Sequence, residues 1–329
     1  MKTSISYSLL AAAMACGLAH GQTTAYTTPV GYVTKSLPPG LTTLVGLTVQ
    51  QPTVAAGVLD AASASPKSVT DNQVNFTTTL TAGATYVLEL TDGTVQEITA
   101  WSGSVLTTPD NITASVTPGT TTYKLRKAAT VSDIFGATNS VGLSPDTDGS
   151  LTGTDTILIL NASNAFDTVY YFNDGAGTTG WFDDQGAPAD NKVVAYPDSF
   201  YVRRAAGTPK SLVVSGEVKT TPTGGRLVSG FNFVNSVAPV GLTLATSGLQ
   251  TSLTPDVDGS LTGTDLVLVP NGAVFTTVYY FNDGAGTTGW FDDQGAPADS
   301  LPLDGGFLIN NASGIKPFKV NVPAGYSSL

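Results

Sequence analysis

Thr168 to Asp190 reads TVYYFNDGAGTTGWFDDQGAPAD, and Thr277 to Asp299 repeats it without a difference 109 residues later. Two features of this block decide the fold. Its β-branched and aromatic residues come in short runs in which 168, 170 and 172 face one way and 169 and 171 the other. Between the runs, Asn, Asp and Gly cluster where turns need them. The block therefore reads as two strands joined by the loop NDGAGTTG, with Trp181 and Phe182 opening the second strand. Its verbatim recurrence marks an internal repeat.

The repeat extends outward with decreasing fidelity. Upstream, DGSLTGTD stands at Asp148 to Asp155 and again at Asp258 to Asp265, an offset of 110. Between the identical segments, ILILNASNAF faces LVLVPNGAVF, which keeps the apolar alternation and loses the identities. Downstream, SFYVRRAAGTPKSLVVSGEV from Ser199 loosely parallels GFLINNASGIKPFKVNVPAG from Gly306. A fainter third copy starts at Thr85 with TYVLELTDGTVQEITAWSGSVLTTPDN, so that each unit owns one of Trp101, Trp181 and Trp290. Three modules are expected after a leader at 1–21: residues 22–127, 128–222 and 223–329. Runs such as TYVLEL, TTYKLRK, TILIL, FYVRR, LVLV and FKVNV recur at strand spacing with turn residues between them. Helix is expected only at Thr53 to Ala62 and at Thr130 to Phe135, where Ser132 offers a cap. The fold class expected is all-β, with tandem antiparallel β-sandwich or barrel-like modules carrying internal repeats.

Composition agrees and narrows the function. Only 12% of the 329 residues are charged, where an ordinary globular chain has about a quarter. Fourteen Lys and Arg against 25 Asp and Glu leave a net charge of -11, which is no footprint for nucleic acid or an anionic membrane. The first residues read as a secretory signal peptide: a charged start at Met1-Lys2, an apolar stretch from Ile5 to Leu18, then Ala19-His20-Gly21. Cleavage is expected after Gly21; a competing site would leave Cys16 as a lipidated first residue. No second long apolar run follows, so the mature chain is expected to lack a transmembrane segment and to work in the periplasm, on the outer surface or outside the cell. Cleavage after Gly21 also removes the single His and Cys and both Met, which excludes triads, Cys-His pairs and His-ligated metals.

Several motifs occur in a defined order: TTPVGYVTKSLPPGLTTLVGL at Thr27, KLRKAATVSDIFG at Lys124, the strands following Thr154 and Thr264, GWF at Gly180 and Gly289, FYVRR at Phe200, VVSGEVKTTPTGG at Val213 and APVGLTL at Ala238. This order resembles an uncharacterised family of secreted proteins known chiefly from verrucomicrobial bacteria. The resemblance implies export and a β-rich fold, and carries over no catalytic or binding residue.

Three groups of residues are candidates for chemistry. SPDTDGSLTGTD and TPDVDGSLTGTD place Asp146, Asp148 and Asp155, and Asp256, Asp258 and Asp265, on glycine-containing loops. Such oxygen ligands suit calcium, although the spacing is not that of an EF-hand and a solvated turn explains the same residues. The identical blocks supply Tyr170, Trp181 and Asp183, and Tyr279, Trp290 and Asp292. Exposed, these would form sugar-binding platforms; buried, their rings are module core, the commoner fate of aromatics. Asp183-Asp184 and Asp292-Asp293 are adjacent on strands, point to opposite faces and cannot flank one glycosidic bond alone. Arg126-Lys127 and Arg203-Arg204, at the ends of matching strands, read as screened surface charge.

The function expected is that of an exported, non-enzymatic structural or surface-interaction protein. The alternative is a carbohydrate-binding array with glycan partners. Amino-terminal sequencing of the exported chain is expected to begin at Gln22; a blocked, lipid-bearing Cys16 would contradict that reading.

Overall fold

The computed structural model describes residues 29–62, 67–161, 163 and 165–326. The expected leader, with His20 and the Cys16 lipidation site, lies outside the described residues. No helix among them is long and apolar enough to cross a membrane.

The chain opens with β1 (Val30–Leu37) and β2 (Thr42–Gly46). Then come β3 (Thr53–Val58), β4 (Ala61–Ala62), β5 (Ser68–Thr70), α1 (Phe76–Thr79), β6 (Tyr86–Leu90), β7 (Val95–Ile98), β8 (Ala100–Ser102), β9 (Val105–Thr107) and β10 (Thr122–Lys127). These form two four-stranded sheets, β3-β10-β6-β7 and β4-β5-β9-β8, around a core that includes Phe76, Leu88, Leu106 and Leu125. Next are β11 (Ala129–Thr130), α2 (Val131–Phe135), β12 (Thr156–Leu160), β13 (Phe166–Asn173), β14 (Thr179–Asp183), β15 (Val193–Val194), β16 (Ser199–Arg203) and β17 (Lys210–Glu217). The last stretch holds β18 (Thr223–Leu227), β19 (Gly230–Asn235), β20 (Leu266–Asn271), β21 (Val274–Asn282), β22 (Thr288–Asp292), β23 (Gly306–Asn311) and β24 (Lys316–Val320). The fold is all-β, built of antiparallel sheets in sandwich-like modules.

The sheets divide the chain otherwise than at 127/128. β1 pairs with β17 along its whole length, and β2 pairs with β16. Residues 30–46 thus belong to the expected second module, and residues 53–127 are inserted between its second and third strands. With that correction the two later modules have one topology. Their five-stranded sheets run β2-β16-β12-β13-β14 and β19-β23-β20-β21-β22, and each is flanked by a ribbon, β1-β17 or β18-β24. The identical blocks form β13-β14 and β21-β22, at the outer edge of each sheet. That edge is closed by the chain itself, because the Ala189 and Ala298 amides donate to the carbonyls of Trp181 and Trp290, which denies a template to foreign strands.

The two sheets meet through equivalent positions. Gly46 opposes Ser199 in one sheet as Asn235 opposes Gly306 in the other. A Cβ on Gly46 would stand 2.4 Å from Asn235 Oδ1 and 2.6 Å from the Gly306 nitrogen, and one on Gly306 would stand 2.7 Å from Ser199 Cβ. Equivalent residues meeting each other is the signature of a two-fold arrangement, here within one chain. Asn235, wholly buried, fixes the seam by donating from Nδ2 to the carbonyls of Leu47 and Tyr196, each at 2.7 Å.

Two local expectations change. Thr53–Val58 is a strand and not a helix: pairing with β10 on one side overrides the Ala-rich composition. At α2 the cap is Thr130 and not Ser132, through a capping box with Asp133.

The inserted module is joined to the rest by buried charge. Lys219 and Thr221 bond to Glu89 Oε1, Gln50 Nε2 donates to Glu89 Oε2 at 3.0 Å, and the Tyr196 hydroxyl donates to the same oxygen at 3.3 Å. Arg126 lies 3.6 Å from Glu89 and bonds to Glu217, which also accepts from Thr53. All four charged residues are buried. Arg126 is therefore no surface charge, contrary to the sequence reading: a guanidinium here balances two carboxylates out of water. The hydrophobic core of the second module is continuous across these junctions, since it contains Val87 and Val95 of the insert and Val237 of the third module.

Burial alone would raise Glu89, but the charge and hydrogen bond of Lys219, with those of Thr221 and Gln50, outweigh it and bring the carboxyl to about 2. Burial likewise raises and Arg126 more than offsets Glu217, leaving it below its usual value. Both pKa values are depressed on folding, so their contribution is present above about pH 4.5 and is lost as the pH falls toward 2. Denaturant midpoints measured from pH 6 to pH 2 are expected to fall over that interval. Glu89→Gln, which strands Lys219, is expected to cost about 3–5 kcal/mol at pH 7 and to flatten the acid limb.

Candidate functional site

The repeated blocks are the first place to look. On β13 and β14, Tyr171 opposes Trp181, and their rings meet edge to face at 5.1 Å. Trp181 is wholly buried against Phe135 as well, and its Nε1 donates to the Gly136 carbonyl at 2.9 Å. Trp290 packs on Tyr280 at 5.5 Å and is 1% exposed. Neither indole offers a face to a sugar. The platform reading of Trp181 and Trp290 is thereby corrected to core, because alternation turns them inward with Val169 and Val278. Tyr170 is buried and Tyr279 half-buried on the opposite face. Asp183 and Asp292 spend Oδ1 on the amides two and four residues on, Gln185 and Ala187, and Gln294 and Ala296.

The acidic loops serve the backbone in the same manner. Asp146 accepts from the amides of Gly149 at 2.7 Å and Leu151 at 3.1 Å, and Asp256 accepts from Gly259 and Leu261 at the same distances. These bonds hold Leu151 and Leu261 at φ 58, a left-handed conformation rarely given to leucine. Asp148 and Asp258 each cap the serine amide two residues on, at 2.9 Å. Asp155 accepts from the amides of Ser144 and Ala205, each at 2.7 Å, and pairs with Arg204 at 2.6 Å with both side chains wholly buried. Asp265 keeps the two amides, from Thr254 and Ala312, but takes its cation from Lys316 on β24. Arg204 thus joins Arg126 as a buried, paired group that sequence reading places on the surface. N–H groups already engage these carboxylates, and no three metal-ligating side chains converge among the described residues. The calcium candidates Asp146, Asp148, Asp155, Asp256, Asp258 and Asp265 are turn and strand fasteners.

Concave surface lies instead between the modules. A groove of about 940 Å³ separates the insert from the third module, with Asp110 and Arg226 paired across it at 2.9 Å. Behind Arg226 and Phe318 opens a second cavity of about 410 Å³, lined by all three modules. The insert contributes Glu97. The second module contributes Asn161, Val193, Asp198 and Ser199, and the third contributes Phe231, Asn232 and Phe233. Its aromatic wall is built, Phe233 meeting Tyr201 at 5.2 Å and Phe166 at 5.3 Å, each edge to face. Asp198 lines the cavity and remains exposed. Loss of water and the neighbouring Glu97 push its carboxyl up to about 7. Among the described residues neither Glu97 nor Asp198 has a side-chain hydrogen bond or ion pair. Sequence reading misses this pair because its members come from different modules and stand in no repeated motif. The only local hint is that Glu97 is one of three glutamates in the chain, beside Glu89 and Glu217.

No family model matches the chain, and neither a curated protein nor a solved structure does so.

The two indoles differ in one respect that denaturation can read. Trp290 Nε1 is buried without a partner, since residues 236–253 bring no carbonyl to the place that Gly136 takes beside Trp181. Replacing either tryptophan by alanine is expected to cost about 3–5 kcal/mol. Trp290→Phe is expected to be milder than Trp181→Phe by about 1 kcal/mol, because only the latter removes a formed hydrogen bond, the Gly136 carbonyl keeping its second donor, the Asn139 amide. Equal losses would show that the Gly136 bond is not formed.

Proposed function

We propose that the protein is an exported, non-enzymatic structural or surface-interaction protein, a single rigid body that holds two copies of one hairpin surface in fixed relation. One observation carries this reading. The block that is identical in both copies spends Tyr171 and Trp181, with Tyr280 and Trp290, on core and Asp174 and Asp183, with Asp283 and Asp292, on closing its own turns, and leaves the same exposed loops, 174–178 and 283–287, at both places. A side-chain set under catalytic demand would converge on a cleft; this one converges on the stability of a surface. The buried charge cluster and the glycine seam support rigidity between modules. The leader-like first residues, and an order of motifs that resembles a family of secreted verrucomicrobial proteins, support export.

Producing the full chain in a Gram-negative host and fractionating the cells tests the reading together with a turnover screen. The protein is expected outside the cytoplasm, with no hydrolysis of chromogenic glycosides, esters or peptides. Retention of an uncleaved chain in the cytoplasm would overturn export. Turnover abolished by Asp198→Asn or Glu97→Gln would overturn the non-enzymatic reading.

A further inference from the structure

The cavity between the modules has three properties that together select a ligand. It is large enough for a small organic molecule, at about 410 Å³, and it lies at a junction of modules, where ligand pockets concentrate. Its wall carries the phenyl rings of Phe231 and Phe233, beside Ser199, whose buried hydroxyl lacks a partner. Its lining carries two carboxylates, Glu97 and Asp198, from different modules, against one cation, Arg226. Arg226 is already committed to Asp110. Two carboxylates and two phenyl rings lining one cavity complement one kind of group, a cation with an apolar body, which gains both the Coulombic and the cation–π attraction.

We propose that this cavity binds an organic ammonium group, seated between Glu97 and Asp198 with its apolar part against Phe231 and Phe233. The site is independent of the scaffold role argued above. The titratable and charged groups facing Asp198 from the surrounding elements are Glu97 on β7 and, at the mouth, Arg226 on β18. The raised Asp198 carboxyl holds its proton to higher pH than an ordinary aspartate. Binding therefore converts the carboxylic acid and the ammonium ion into a carboxylate–ammonium pair and releases the displaced proton to solvent. No covalent bond changes. The ammonium source is either a small free amine or the lysine side chain of a partner protein, and the chemistry at the carboxylates is the same.

Calorimetric titration of the full mature chain tests this with benzylamine, its neutral counterpart benzyl alcohol, and Nα-acetyl-lysine amide as the side-chain probe. One benzylamine per chain is expected at pH 7.5, with at least tenfold weaker binding at pH 5.5 and a heat that varies with buffer ionisation as proton release requires. Benzyl alcohol is expected to bind at least tenfold more weakly. Tighter binding of the lysine amide than of benzylamine assigns the site to a partner's side chain, and the reverse assigns it to free amines; either supports the proposal. Glu97→Gln, a change at an exposed residue, is expected to weaken amine binding tenfold or more with an unchanged melting temperature, and Asp198→Asn to abolish it. Absence of binding by both amines at pH 7.5, equal binding of benzylamine and benzyl alcohol, or full binding by the Glu97→Gln chain would overturn it.

Discussion

At the point where the insert meets the body of the protein, Glu89 stands out of water with Lys219, Arg126, Gln50, Thr221 and Tyr196 around it. Taking a carboxylate from water costs several kcal/mol, and only well-placed partners offset that cost. The partners come from four parts of the chain: β10, the segment between β2 and β3, the turn before β16, and the linker after β17, which supplies both Lys219 and Thr221. Formally the four charged residues cancel, so the cluster tolerates no missing member. Its Lys219 ammonium also lies 5.9 Å from the centre of the Tyr196 ring. The rest of the architecture depends on this point, because an insert of two small sheets could otherwise hang freely from the loop that admits it. The continuity of core across the same junction, through Val87 and Val95, adds the apolar contact that keeps water from the charges.

The two equivalent modules show how one design survives drift. Asp155 and Asp265 hold the same pair of amides, yet the cation moves from Arg204 on the loop after β16 to Lys316 at the start of β24. In both cases the buried carboxylate keeps a partner, although the identity and origin of the partner change. What cannot move is the hydrogen bond between Asp146 or Asp256 and the left-handed leucine that follows it, since the acceptor and the strained backbone define each other. The indole of Trp290, deprived of the carbonyl that Trp181 enjoys, marks a place where compensation did not follow.

The sequence made local structure legible and long-range structure illegible. Alternation in TVYYF predicts two faces without saying which is core; the sheet turns Val169 and Tyr171 inward with Trp181, and leaves Tyr170, grouped with Trp181 by the sequence reading, on the other face. The Asp-Gly clusters announce turns, and they are turns. By contrast, β1 and β2 carry no mark of pairing with strands more than 150 residues later; only the completed sheet shows that the insert interrupts a module. Arg126 and Arg204 look like strand-end charges because their partners, Glu217 and Asp155, lie 91 and 49 residues away. Thr53–Val58 has helix-compatible residues and becomes a strand because β10 offers it an edge. The Asp198 and Glu97 cavity is a product of module placement, so no spacing rule in the chain announces it.

One tryptophan stands in each module, Trp101 in the insert, Trp181 in the second and Trp290 in the third, which allows each to be followed alone. In three variants that keep a single tryptophan and replace the other two by phenylalanine, equilibrium unfolding in denaturant monitored by fluorescence measures whether the modules are one cooperative unit. With each variant normalised to its global circular-dichroism transition, the buried junction predicts that the fluorescence and circular-dichroism curves coincide in all three. A Trp101 signal that unfolds at a separate denaturant concentration from the rest of its own chain would contradict the account.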